Sequence, residues 1–243
     1  MLPCNHNQSF ALVLYSVNLD WMQNHEQMVV LIYISSLIVI APLLIFIGRW
    51  SRLSAVQKLL GWLIVFTFLI QVPSFALWLQ SKNNLPFVHL YTLGEVVLLS
   101  LIYWTQFDNK LLKKGVLIVS ASLLLFSIIN SVFIQSIYTF NSNAATLENC
   151  VLIFYSLIYF NQLLRAPELS DLGANPMFWI NAGVLVYFSG SLIVFLTSNY
   201  LIPKSSDLQS AVWSLHSVIN IVHYLIYAIA LWVQPKKSPY SIS

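Results

Sequence analysis

The chain has 243 residues, 58% of them apolar and only 8% charged, with a mean hydropathy of +0.77 and a net charge of +3. Soluble domains are about a quarter charged, and a chain this apolar would expose large greasy areas in water, so a water-soluble fold is excluded and the bilayer is the expected solvent. A small positive balance in such a composition belongs to loops at one membrane face, not to a nucleic-acid-binding surface, and no nucleic-acid partner is expected.

Residues 1–27 form a polar segment with one apolar patch, Phe10 to Val17, too short to span. There is no Lys or Arg before Arg49, so the basic region of a cleavable signal peptide is missing. The segment is read as an extracytoplasmic tail, an interfacial helix or a lid. A helix needs about 20 apolar residues to cross the hydrocarbon layer. Seven stretches meet that demand: Met28–Ile47, Lys58–Leu79, Leu85–Gln106, Gly115–Tyr138, Ala145–Leu164, Met177–Ser198 and Ala211–Val233. The apolar runs are continuous, which argues for helices over alternating strands. The expected fold is an all-α integral membrane protein, a seven-helix bundle over residues 28–233, with a short basic tail at 234–243.

Charge placement sets the orientation, because Arg and Lys concentrate on cytoplasmic loops. With the N-terminus outside and the C-terminus inside, Arg49, Arg52, Lys58, Lys110, Lys113, Lys114, Arg165, Lys236 and Lys237 fall inside, and only Lys82 and Lys204 outside. The eight tryptophans lie at or near span ends and read as interfacial anchors. Tyr91-Thr92-x-x-Glu95 opening the third span echoes His216-Ser217-x-x-Asn220 opening the seventh. The echo would suit two parallel three-helix units joined by the fourth span.

Polar groups inside the spans are the functional candidates. His216, Asn220 and His223 are spaced i, i+4, i+7 and stack on one face of the seventh span, which must look into the bundle. At 1.5 Å per residue Glu95 lies ~15 Å below the start of its span, near the midplane. It is expected to meet one of those histidines, since a lone buried carboxylate is expensive. Gln71 and Thr92 could add hydrogen bonds, and Glu148 lies close enough to the outer boundary for hydration to satisfy it. The alternative for each polar group is helix glue, interhelical hydrogen bonds worth about 1 kcal/mol, which is the favoured reading for Asn220, Gln71, Asn130 and Asn181 taken singly. Pro73 could kink the second span.

Known chemistries with seven spans fit poorly. An opsin needs a lysine between Ala211 and Val233, and there is none. An intramembrane zinc hydrolase would need HxxxH where His216-x-x-x-Asn220 stands, and no span contains Asp. Bis-histidine haem ligation would require His89 and His216 to face each other. Cys4 and Cys150 are too few for a thiolate metal site, though as an outer-face pair they could form a disulfide. No cofactor is expected; enzymatic activity is left open but disfavoured, with a membrane-embedded hydrolase as the remaining alternative.

The sixth span, NPMFWINAGVLVYFSGSLIVFLTSNYL from Asn175 to Leu201, carries an F-W-I-N…L-x-Y-F-S-G pattern ahead of the histidine–asparagine seventh span. It resembles a group of small seven-span membrane proteins of Bacteroidota-type bacteria, a likeness that covers nearly the whole chain, including Tyr91–Glu95. The resemblance implies a shared fold in the inner membrane and an association with sensor kinases. It transfers no residue roles. Ser189-Gly190-Ser191 reads as a small-residue patch for close helix approach. Glu95, His216, Asn220, His223, Gln71, Thr92 and Glu148 together suggest an outward-facing polar pocket for an unknown small ligand or a proton, in a receptor-like sensor signalling through a partner at the basic inner loops. A small-solute or proton-coupled transporter is the rival, and an assembly subunit the third class. The inner halves VVLLSLIYW and YLIYAIALW are almost wholly apolar, favouring a blind pocket over a through-path.

Overall fold

The computed structural model describes residues 26–165, 169–201 and 206–234. All regular structure among them is helical: α1 (Glu26–Leu37), α2 (Ile40–Arg49), α3 (Ala55–Leu79), α4 (Leu85–Gln106), α5 (Lys110–Ile129), α6 (Ser142–Leu164), α7 (Pro176–Leu201) and α8 (Ser206–Trp232). α1 and α2 together make the first of seven spans long and apolar enough to cross a membrane; each later helix makes one. Outward faces are apolar, with Ile47, Leu69, Leu125, Phe154 and Ile193 each more than half exposed. That is stable only against lipid, so the protein is a multi-pass membrane bundle.

The first span breaks where the sequence analysis placed no irregularity. Pro42 has no N–H for the Ile38 carbonyl and its ring crowds that group, and the helix loses its register at Ile38 and Val39. Pro73, expected to kink the second span, lies inside an unbroken α3. The fourth span ends in a π-helical turn, Asn130–Ile134.

Arg49, Arg52, Lys58, Lys110, Lys113, Lys114 and Arg165 all lie toward one end of the bundle, here the basic end, where α2, α4, α6 and α8 finish and α3, α5 and α7 begin. This end is locked. Gln57 forms a capping box with Ser54 and also donates from Nε2 to the Ala230 and Val233 carbonyls, both at 2.8 Å, tying the start of α3 to the end of α8. Deeper in, Tyr103 Oη donates to Asn181 Oδ1 (2.7 Å), and Asn181 Nδ2 donates to the Ser156 carbonyl (3.2 Å), clamping α4, α7 and α6. Asn181 is helix glue, as the sequence led us to expect.

Around these clamps Leu60, Ile64, Leu99, Ile102, Phe107, Leu152, Ile180 and Tyr227 are fully buried in one core. α7 and α8 approach closely through two glycines. A methyl added at Gly190 would lie 2.7 Å from Ile219 Cδ1, and one at Gly183 would lie 2.9 Å from Tyr227 Cε1, so the small-residue patch does bring a helix in. Trp50, Trp62, Trp104 and Trp232 face outward, and Arg49, Lys58 and Lys113 lie over the rings of Trp232, Trp50 and Trp104. Trp78 and Trp213 depart from the anchor expectation: each is buried and turned inward.

Candidate functional site

The half of the bundle away from the basic end is not filled. α1, α3, α4, α6, α7 and α8 surround a cavity of about 300 Å³. α1 packs on α8 and meets α3 through side chains, with Tyr33 edge-on to Phe75 (5.7 Å) and Trp78 (5.5 Å). Over the cavity, Phe140 from the α5–α6 connection packs on Phe195 (5.2 Å) and Trp213 (6.2 Å).

That connection is pinned by amides. Asn130 Nδ2 donates to Gln135 Oε1 and Asn141 Oδ1, Asn143 Nδ2 donates back to Asn130 Oδ1, and Asn141 Nδ2 reaches Thr92 Oγ1 on α4. The π turn at the end of α5 places Asn130 to hold the connection inward.

Six of the seven expected site residues line the cavity: Glu95, Thr92, Gln71, Glu148, His216 and Asn220. His223 does not. Its Nδ1 lies 3.0 Å from the Gly183 carbonyl, and its ring packs on Tyr227 (4.0 Å) and Tyr187 (4.5 Å), in the α7–α8 seam below the cavity. His223 thus packs between two helices and is not part of the cavity wall. His216 and His223 differ by only about 20° in helical phase, but His223 lies about 10 Å further along the axis, beyond the end of the cavity.

Glu95 does not meet a histidine. Its Oε1 accepts from Tyr91 Oη at 2.5 Å, one turn up the same helix. Tyr187 and Tyr224 also line the cavity, within electrostatic reach of Glu95. Sequence reasoning missed these tyrosines as site residues, although Tyr91 stood four residues before the glutamate in the quoted element. Glu148 is more enclosed than its place near the start of the span suggested: it is 3% exposed and lines the cavity, and its Oε1 has no protein hydrogen-bond partner. The two carboxyls lie within electrostatic reach of each other.

His216 sits on the wall among Trp213, Phe195 and Tyr187, with Nδ1 at 3.5 Å from Ser191 Oγ. His89 cannot face it as a haem ligand. One nitrogen of His89 meets Ser131 Oγ (2.7 Å) and the other the Thr139 carbonyl (3.0 Å), away from the cavity. Among the described residues no three His, Cys, Asp or Glu side chains converge as a metal site. Cys150 is exposed, and Cys4, its candidate partner, lies outside the described residues along with most of the 1–27 segment.

No protein-family model, no curated protein and no solved structure matches this chain. Its function has to be argued from the cavity itself.

Gln71 and Asn220 serve the broken first span. The break leaves carbonyls of α1 without their usual helical donors, and Asn220 Nδ2 donates to the Ser35 carbonyl (3.0 Å) and Gln71 Nε2 to that of Ser36 (3.3 Å). Two helices thus fix the cavity's α1 wall. Asn220→Leu is expected to cost about 1 kcal/mol, and to speed amide hydrogen exchange around Ile38–Ile40 more than elsewhere. Gln71→Leu, which removes the longer bond, should do less. Uniform exchange in Asn220→Leu would show that the amide does not hold the break.

Proposed function

We propose that the protein is a receptor-like membrane sensor: a small ligand or a proton enters the cavity from the extracytoplasmic side, and the occupied bundle is read by a separate partner at the basic end. In this proposal the N-terminus is outside and the basic end is cytoplasmic, in the inner membrane of a Bacteroidota-type bacterium. The observation that carries the sensor over the transporter is that the cavity is blind. Its floor at Glu95 and Tyr224 rests on the core of Leu99, Ile102, Tyr103, Ile180 and Tyr227, all fully buried, and on the Tyr103–Asn181 clamp. Alternating access needs a route through that half, and a core packed like a crystal offers none without large rearrangement. Against an assembly subunit stands the cavity itself, since helix glue requires close packing and no space.

One feature favours the rival. An interrupted span beside a midplane polar site is how many secondary transporters build their substrate sites. Here the freed carbonyls are capped by amides, which leaves them less able to bind an ion. The three-plus-one-plus-three repeat has no place in this proposal: the first span breaks at Ile38–Val39, whereas its counterpart α6 runs unbroken.

The deciding experiment uses the full chain in two preparations. In nanodiscs, cavity ligands should raise the melting temperature in a saturable way, following mass action. In sealed liposomes loaded with such a ligand, counterflow of its labelled form should be no faster than in protein-free vesicles. Fast, saturable counterflow would make the protein a transporter.

A further inference from the structure

We propose that the cavity takes an organic cation: a compact ammonium compound with an apolar body, its charge between the Glu95 and Glu148 carboxyls and its body against the aromatic wall. This rests on the binding function proposed above and adds the ligand's sign and shape.

Charge balance is the first argument. Two glutamates line the cavity and no lysine or arginine does; His216 is the single basic side chain on the wall among the described residues. Among the described residues the arginines and lysines are gathered at the other end of the bundle, apart from Lys82 in the α3–α4 turn, which is exposed, does not line the cavity and donates from Nζ to Gln80 Oε1. A buried carboxyl ionises most readily when a cation arrives beside it, and an anion would meet no matching charge, so this lining favours cations over anions.

Glu148 supplies the second argument. Helix glue would require a hydrogen bond to a neighbouring helix, and Glu148 Oε1, in a side chain 3% exposed, makes none. A buried acceptor left unmatched is rare and calls for an explanation. An ionised carboxyl only accepts, so what completes it must donate, and an ammonium group brings several donors with a charge. Glu95 differs: Tyr91 already orients its Oε1. One carboxyl is positioned and the other is open.

The walls supply the third. Tyr187, Tyr224, Trp213 and Phe188 all line the cavity. Aromatic faces attract alkylammonium groups and shelter apolar bodies equally well. A bare metal ion would lack a donor set, since no three ligating side chains converge among the described residues. A volume of about 300 Å³ lies at the small end of ligand pockets and suits a compact amine.

The test uses the full chain in phosphatidylcholine nanodiscs and three cationic probes: 2-phenylethylammonium, n-hexylammonium and choline. Neutral 2-phenylethanol and anionic phenylacetate are the shape controls. At least one cation should bind saturably, with the alcohol about tenfold weaker or worse and phenylacetate not at all. Glu148→Gln should cut cation affinity at least about tenfold and leave that of the alcohol unchanged, with Glu148→Asp between. Should Glu148→Gln fail to fold, Tyr187→Leu serves, and it should weaken the ammonium probe more than the alcohol.

The inference is overturned if no cation binds up to about 1 mM, if 2-phenylethanol binds as tightly as its ammonium analogue, or if neither variant discriminates between them. Binding of the alcohol alone would leave the cavity a ligand site and remove only the cation. Carrier-like counterflow of a bound cation would do the reverse, keeping the cation and removing the sensor.

Discussion

Asn181→Leu is expected to destabilise the bundle by about 2–3 kcal/mol, the largest effect of any single polar substitution in the spans. Tyr103 is 0% exposed and its hydroxyl donates to Asn181 Oδ1; leucine would leave that hydroxyl with Ser156 as its remaining polar neighbour, beside Phe107, Tyr155 and the core. Ser156 would also lose a tie, since its carbonyl accepts from Asn181 Nδ2. An ordinary interhelical hydrogen bond is worth about 1 kcal/mol in a membrane. What raises the cost here is the orphaned partner, not the lost bond. Adding Tyr103→Phe should therefore recover part of the loss, a coupling that a double-mutant cycle in thermal or denaturant unfolding would read. Strictly additive losses would mean the two groups act separately and the clamp is not a unit.

Ser217→Trp is expected to abolish ligand binding while leaving the fold intact. Ser217 is 4% exposed on α8 and lines the cavity one residue after His216. An indole built there has nowhere to go but the cavity, because the flanking helix faces are already packed against α7 and α1. In a filled core such a change would cost about 1–3 kcal/mol through overpacking. Here empty space receives it, so the melting temperature should hold or rise. Affinity for any cavity ligand should fall by about 100-fold, ~2.7 kcal/mol. A large drop in stability would mean the space is not there, and both the sensor and the cation would lose their site.

How much of this was legible in the sequence differs by feature. The number of spans follows from hydropathy alone, because a helix that must cross about 30 Å of hydrocarbon leaves a run of apolar residues too long to mistake. That Glu95, Thr92, His216 and Asn220 share a cavity was legible from helical phase, since polar groups in a span must face inward. What phase cannot supply is the neighbour across the gap. His216 and His223 belong to one stripe, yet the first reaches the cavity and the second is caught where Gly183 draws α7 in.

Glu148 looked superficial by position, and how the α5–α6 connection, residues 130–141, folds could not be read from its mix of polar, aromatic and aliphatic residues. Pro42 and Pro73 make the same point. Both sit within apolar runs, but only the span with amide donors from two other helices beside it is open. Whether a proline breaks a buried helix depends on who receives the freed carbonyls, which is tertiary information.

The broken first span bears on how the protein is made. The Ser35 carbonyl finds its donor in Asn220, 185 residues later in the chain. Spans enter the bilayer as they are synthesised and pack afterwards. This span enters well before the one that completes it, and it waits with an unmatched backbone acceptor until α8 arrives. Biogenesis would have a natural checkpoint in this: chains stalled or cut before the seventh span present an unclosed helix in lipid, a mark that membrane quality control could recognise and that complete chains erase.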